Sequence, residues 1–311
     1  MMIRIGTRGS HLARTQATTI ASYIQKLGHE TKLVIISTSG DQSNAVSFGS
    51  IGPQGVFVRE IEQAILDHKV DMAVHSYKDL PTESPDELIV SAVPARLDAA
   101  DVLAMRKEVF TENKHSLPII LEGKVGTASA RRQAWLRYIR PDITIKPIRG
   151  NVPTRIAKLK EDFDGIILAA AGLERLKNSR LDDVQSQLSL DNVIIQRIDP
   201  EIFVPAPAQG ALALQCHQDN KELKAVLKEL DHSPTRECVN AERMLLSRLE
   251  GGCDLAFGAY AAPDPTTNNT FNLITLLEHD GELIFSKENG TNLMQLVDTV
   301  WHTYEKQCFD N

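Results

Sequence analysis

The sequence predicts an α/β protein of two similar units followed by a smaller α+β region. Three observations predict it. Short apolar runs alternate with amphipathic stretches over the first two thirds of the 311 residues, the βαβ rhythm of a mostly parallel sheet covered by helices. The rhythm breaks and then resumes after Asp101. From about residue 222 the texture changes to Lys/Glu-rich helical stretches followed by two strand-like runs.

In order along the chain, residues 3–6 read as a strand, and Ser10 as the N-cap of a helix that Gly28 ends. Strands are expected at 31–38, 70–75 and 88–93, with a helix at 57–67. Residues 40–57, rich in Gly, Ser, Asn and Gln, read as a loop long enough to be a lid or a plain surface loop. The second unit is expected to hold strands at 102–106, 124–127, 143–148 and 165–169, and helices at 129–140, 152–160 and 171–176. Pro141 stops one of these helices and Pro153 suits the first turn of another. The C-terminal region reads as helices at 221–230 and 235–249, strands at 271–278 and 283–287, and a helix from Leu293. The expected domains are 1–98 with 206–221, then 99–205, then 222–311.

Composition narrows the function. Apolar residues make 42% and charged residues 24%, as in ordinary globular proteins, and no apolar run is long enough to span a membrane. A net charge of −7 argues against a broad nucleic-acid surface. The four cysteines do not form a disulfide framework, the nine histidines show no metal spacing, and no signal segment precedes the first strand. The expectation is a cytoplasmic protein with no metal and no nucleic-acid or membrane partner.

In open α/β sheets ligands sit outside the carboxyl ends of the strands. Those positions here are rich in cations and hydroxyls: Arg8 and Ser10; Ser76, Lys78 and Asp79; Thr127, Ser129, Arg131 and Arg132; Arg149, Gly150 and Arg155; and Arg175. Guanidinium forks and helix N-termini both suit carboxylate or phosphate. In an acidic protein this pattern implies a cleft between the two α/β domains for a ligand with several negative groups. Asp79 is either a carboxylate placed to stabilise a developing cation and shuttle a proton, or a plain turn partner of Lys78. Cys253 follows two glycines and is either an exposed attachment point or a small buried apolar residue.

Six segments together resemble the porphobilinogen deaminase (hydroxymethylbilane synthase) family. They are Arg4-Ile5-Gly6-Thr7-Arg8-Gly9-Ser10, Ala73-Val74-His75-Ser76-Tyr77-Lys78-Asp79-Leu80-Pro81, Gly126-Thr127-Ala128-Ser129-Ala130-Arg131-Arg132-Gln133, Arg149-Gly150-Asn151-Val152-Pro153-Thr154-Arg155, Pro207-Ala208-Gln209-Gly210 and Leu249-Glu250-Gly251-Gly252-Cys253. The resemblance runs nearly end to end. It implies two domains like type II periplasmic binding proteins with a cleft between them, plus a small C-terminal α+β domain carrying the cysteine. It implies a monomeric transferase of tetrapyrrole (haem) biosynthesis that joins four porphobilinogen molecules head to tail, with release of ammonia, to give hydroxymethylbilane. Its cofactor is a dipyrromethane primer in thioether linkage to Cys253.

By family position Asp79 is catalytic. Ser10, Lys78, Thr127, Ser129, Arg131, Arg132, Arg155 and Gly150 hold the primer. Arg8, Gln16, Ser76, Arg149 and Arg175 take incoming substrate, and residues 40–57 match a mobile lid. The sequence departs from the family pattern at Gln54, where lysine is frequent and Arg59 can compensate. It departs also at Pro153, at His217, where arginine is usual after Cys216, and at Asp254-Leu255-Ala256 after the cysteine. Two alternatives stand beside the enzyme: a diverged paralogue that elongates poorly, and a cytoplasmic binding protein for an anionic metabolite.

Overall fold

The computed structural model describes residues 1–37, 55–111, 117–185, 187–249 and 255–309. They divide into two compact units, Met1–Leu97 with Gly210–Glu237, and Asp98–Gln209 with Cys238–Asn311.

The first unit is a five-stranded sheet. Its strands are β1 (Met2–Arg8), β2 (Glu30–Ile36), β3 (Met72–Ser76), β4 (Leu88–Ala92) and β10 (Leu212–His217), in the order β2-β1-β3-β10-β4. β1 pairs in parallel with β2 and β3, while β10 pairs antiparallel with both β3 and β4. Four strands thus share one direction and the inner fifth is reversed. Helix α1 (His11–Lys26) covers one face by burying Ile20 and Ile24 against Ile3 and Ile5. Ser10 caps it, its Oγ accepting from the Ala13 N–H at 3.3 Å, and Gly28 follows its end at φ +84°, a backbone conformation with no steric cost for glycine. Helix α2 (Gly55–Leu66) covers the other face, with Ile61 and Ile65 against Val70 and Ala73.

The second unit repeats the plan. Strands β5 (Asp101–Arg106), β6 (Lys124–Gly126), β7 (Thr144–Lys146), β8 (Gly165–Ala169) and β9 (Val193–Arg197) run in the order β7-β6-β8-β5-β9. β6 is parallel to β7 and β8, and β5 is antiparallel to β8 and β9. Helices α3 (Ala130–Ile139), α4 (Val152–Asp162) and α5 (Ala170–Lys177) follow β6, β7 and β8, and a single turn, α6 (Asp182–Gln185), comes next. Both faces of the sheet are buried: Leu103 and Met105 of β5 join one core while Val102 and Ala104 join the other. That explains the unbroken apolar run of β5, which shows none of the polar alternation of a half-exposed strand.

Helix α7 (Lys221–Lys228) belongs to the first unit, and the boundary at Glu237/Cys238 falls inside α8 (Ser233–Arg248). The rest of the second unit is a three-stranded antiparallel sheet, β11 (Phe257–Pro263), β12 (Phe271–His279) and β13 (Glu282–Gly290), with α9 (Leu293–Tyr304). One face packs on α8 and α9 through Leu245, Val297, Val300 and Tyr304; on the other, Ile274 and Leu276 join Trp135 and Phe203. β9, β10 and β11 are additional to the strands expected from the sequence, and β7 is shorter than its expected span. Val193–Arg197 holds only half-buried and exposed residues, as suits its place at the edge of the sheet.

Candidate functional site

The chemistry-bearing residues of the second unit stand at the carboxyl ends of three parallel strands. After β6, Thr127 is buried, its N–H donates to the Lys146 carbonyl at 2.9 Å, and its Oγ1 accepts from the Ser129 N–H at 3.2 Å. Ser129 caps α3 through the Arg132 N–H. The acceptor side of this hydroxyl is thereby used, and its proton stays available to a ligand.

The next turn of α3 carries Arg131 and Arg132, both more than nine-tenths buried, on either side of Asp101, which is 0% exposed. Arg131 donates to Asp101 Oδ2 at 2.7 Å and to the Val204 carbonyl at 2.6 Å. Arg132 donates to Asp101 Oδ1 at 2.7 Å and to the Ile167 carbonyl at 3.0 Å. Gln209 Nε2 adds a third donor to Asp101 Oδ1 at 2.9 Å and also donates to the Ala99 carbonyl at 2.8 Å. Burial pushes the Asp101 carboxyl up, but the two guanidinium groups outweigh it and hold the pKa far below the ordinary carboxylate range. Burial pulls the Arg131 pKa down, against the Asp101 charge. Two arginines and one aspartate leave the cluster with a surplus positive charge, and both Nε–H groups are buried without a partner. A buried, net-cationic donor set of this kind calls for an anion beside it.

After β7, Arg149 and Gly150 are exposed. Gly150 sits at φ +118°, and a Cβ there would lie 2.8 Å from Thr154 Cγ2, so glycine is required on both counts. Its carbonyl accepts from Arg155 Nε at 2.7 Å. Asn151 caps α4 through the Thr154 N–H at 2.9 Å, and Pro153 occupies the first turn as expected. The Arg155 pKa is lowered, first by burial and then by the charge of Arg132, which shows that the two cations feel each other. Arg175 is half-buried on α5 after β8.

In the first unit Arg8 ends β1, half-buried, and Ser10 caps α1. Gln16 on α1 is buried and donates to Ser76 Oγ at 2.8 Å at the end of β3, so the structure brings these two expected substrate residues together. Tyr77–Asp79 then form one 3₁₀ turn, with the Tyr77 N–H on the Ala211 carbonyl at 3.1 Å. Lys78 is half-buried and Asp79 exposed. Arg59 is exposed on α2. Gln54, the rest of the 40–54 segment and Cys253 lie outside the described residues.

Asp101, Gln209 and Gln215 were not singled out as site residues from the sequence. Asp101 is 30 positions from Arg131, and only the register of β5 beside β8 places it under α3. A carboxylate opening an otherwise apolar strand was the one available signal.

The fold and these edges define an α/β protein of two like-built sheets with cations gathered at strand ends and an appended small domain. The family model described as porphobilinogen deaminase, dipyromethane cofactor binding domain, matches residues 3–225. Relatives named porphobilinogen deaminase include one from Mycobacteroides abscessus, 44% identical over 261 residues, covering 84% of this chain and 79% of its own. Another, from Brevibacillus brevis, is 40% identical over 287 residues, covering 91% and 86%. A third, from Geobacillus sp., is 38% identical over 307 residues, covering 95% and 93%. The chain belongs to the porphobilinogen deaminase family, and the matched region is the family's dipyrromethane-binding domain.

Proposed function

We propose that this protein is a transferase that condenses four porphobilinogen molecules head to tail, with loss of ammonia, to give hydroxymethylbilane. The observation that carries the reading is the buried Arg131–Asp101–Arg132 cluster with its surplus positive charge, in a chain of this family. Each pyrrole of such a ligand bears an acetate and a propionate, so its donor requirement matches the groups present. Arg131, Arg132 and Arg155, with Lys78, Ser10, Thr127, Ser129 and the backbone at Gly150, would hold the dipyrromethane. Cys253 would anchor it by a thioether. When bound, this group supplies the pyrrole terminus on which the chain is extended.

The remaining roles belong to the protein's own residues. Arg8, Arg149 and Arg175 bind carboxylates of incoming substrate, and Gln16 holds Ser76 at the end of β3. Asp79 stands on the solvent side of its turn, where its carboxylate can face a pyrrole directly. There it balances the positive charge that develops as ammonia departs, and a carboxylate oxygen accepts a pyrrole proton. Arg59 would meet the bound ligand from α2, and Gln54 keeps only the lid role that the family resemblance implies. The surplus of acidic residues, 41 against 34 basic, argues against a broad nucleic-acid surface, and a cytoplasmic monomer acting on a small molecule is what the family resemblance implies.

The test is the intact mass of the denatured protein, with Cys253→Ser as control, followed by assay with porphobilinogen. An excess of two linked pyrrole units, absent from the control, together with release of ammonia and a linear tetrapyrrole, is the expected result. An unmodified wild-type protein that binds porphobilinogen without turning it over would replace the enzyme reading with a binding protein.

A further inference from the structure

Gln215 lies in β10, the reversed strand of the first sheet, and its side chain is completely buried. Its carboxamide contacts three separate segments. The oxygen faces His75 Nε2 of β3 at 3.1 Å. The nitrogen donates to Glu62 Oε1 of α2 at 2.8 Å and to Ser84 Oγ, in the loop leading to β4, at 3.3 Å. A carboxylate only accepts, so the amide nitrogen must be the end that faces Glu62. The amide oxygen is then left for His75, whose Nε2 must carry the proton. Both amide hydrogens and the oxygen are occupied.

The partners bracket the reactive turn. His75 immediately precedes Ser76, and Ser84 follows Asp79 by five positions. One side chain therefore grips both arms of the segment that carries Ser76, Lys78 and Asp79. The turn itself is short, closed by the Leu80 N–H on the Tyr77 carbonyl at 3.3 Å, and its carboxylate is exposed. Its position depends on how those arms are held. His75 and Glu62 are each more than nine-tenths buried, so a partner lost here is not replaced by water. Burial also pushes the His75 pKa down to about 4, against the hydrogen bond to Gln215, so the ring stays neutral and keeps donating near neutral pH.

We propose that Gln215 is a positioning residue: its carboxamide ties His75 to Ser84 around the 76–79 turn and so sets where the Asp79 carboxylate stands. The proposal rests on the reading of Asp79 as the catalytic group. A displacement of about 1 Å at a reacting group can cost on the order of 100-fold in rate, so an anchor of this kind is expected to act on kcat.

Gln215→Met keeps the volume and removes all three hydrogen bonds. The expected result is a primer-loaded protein of wild-type-like mass whose kcat falls about tenfold or more while KM stays within about twofold. A kcat within about twofold of wild type overturns the proposal, as does a change confined to KM. If that variant does not fold, nitrogen NMR of histidine-labelled wild-type protein decides. The His75 ring, identified by its loss in His75→Gln, is expected with the proton on Nε2 and a bare Nδ1; the opposite tautomer overturns the proposal. An Asp79→Asn protein that keeps turnover would instead remove the catalytic reading. An inactive Asp79→Asn beside a fully active Gln215→Met would remove the positioning role alone.

Discussion

The two five-stranded sheets share one strand order and one reversed inner strand, yet they put their buried polar anchors in different places. In the second unit the reversed strand opens with Asp101, opposite Ala169 at the end of β8. In the first the topologically equivalent residue is Leu212, opposite Ser76 at the end of β3. The polar anchor of β10 is Gln215, three residues further in and behind the edge. The charged anchor lies directly under Arg131 and Arg132 and leaves the pair net positive. The neutral anchor lies behind the turn that carries Asp79 and leaves that carboxylate exposed. One architecture thus supplies a buried, net-positive arginine cluster in one unit and an exposed carboxylate on a short turn in the other. The position of a single polar residue along the reversed strand separates the two outcomes.

The largest expected effect breaks the charged anchor. Asp101→Asn leaves Arg131 and Arg132 facing each other in the interior without a counter-charge. It should cost about 3–5 kcal/mol of stability, read from the urea midpoint at constant m-value. Gln215→Met, the matching change in the other sheet, should cost only about 1–3 kcal/mol because no charge is stranded. Equal losses would mean that charge is not what distinguishes the two anchors.

Asp79→Ala should reverse the pattern. Stability should stay within about 0.5 kcal/mol, because the side chain is exposed, while turnover falls about 100-fold or more. Near-normal turnover would transfer the catalytic role elsewhere.

Acid should separate the units by pH window. The folded-state pKa of His75 is about 4 against an ordinary 6.5. The unfolded chain therefore takes up that proton first, and stability present above pH 6.5 is lost as pH falls towards 4. The loss from this one group is about 3 kcal/mol, and it should be missing from the pH dependence of His75→Gln unfolding. Asp101 is depressed below an ordinary 3.8, so its contribution is complete above about pH 4 and lost only below it. Hydrogen exchange at pH 5 should accordingly loosen β3 and β10 while β5 and β8 stay protected. Equal loosening of both sheets would contradict the assignment.

The smallest effect is at the exposed rim. Arg149→Ala should raise the KM for porphobilinogen about two- to fivefold at low salt, with the gap narrowing as salt screens the contact. A KM identical to wild type at all ionic strengths would place Arg149 outside the substrate's reach.

Much of this was legible in the amino-acid order. The N-cap at Ser10 and the proline at 153 are local choices of backbone conformation, and they stand where the sequence places them. The clustering of cations after strands was legible because parallel strands repeat the same strand-to-helix turn. What was not legible was how much of each arginine the interior consumes. Arg131 and Arg132 read as two free arms, whereas each spends two of its three nitrogens on Asp101 and a backbone carbonyl. β9 escaped notice although Val193-Ile194-Ile195 is an apolar, β-branched run between polar residues, so its signal was present in the sequence.

The sequence by itself determined the alternation of elements, their caps and stops, and the surplus of cations at one set of strand ends, since all of these follow from short-range propensity and periodicity. Only the tertiary structure decided that β5 inserts in reverse between β8 and β9, and β10 between β3 and β4, strands far from it in the chain. With that insertion came the partners of Arg131, Arg132 and His75. Strand pairing is a long-range choice, and a buried charge or amide finds its partner only once that choice is made.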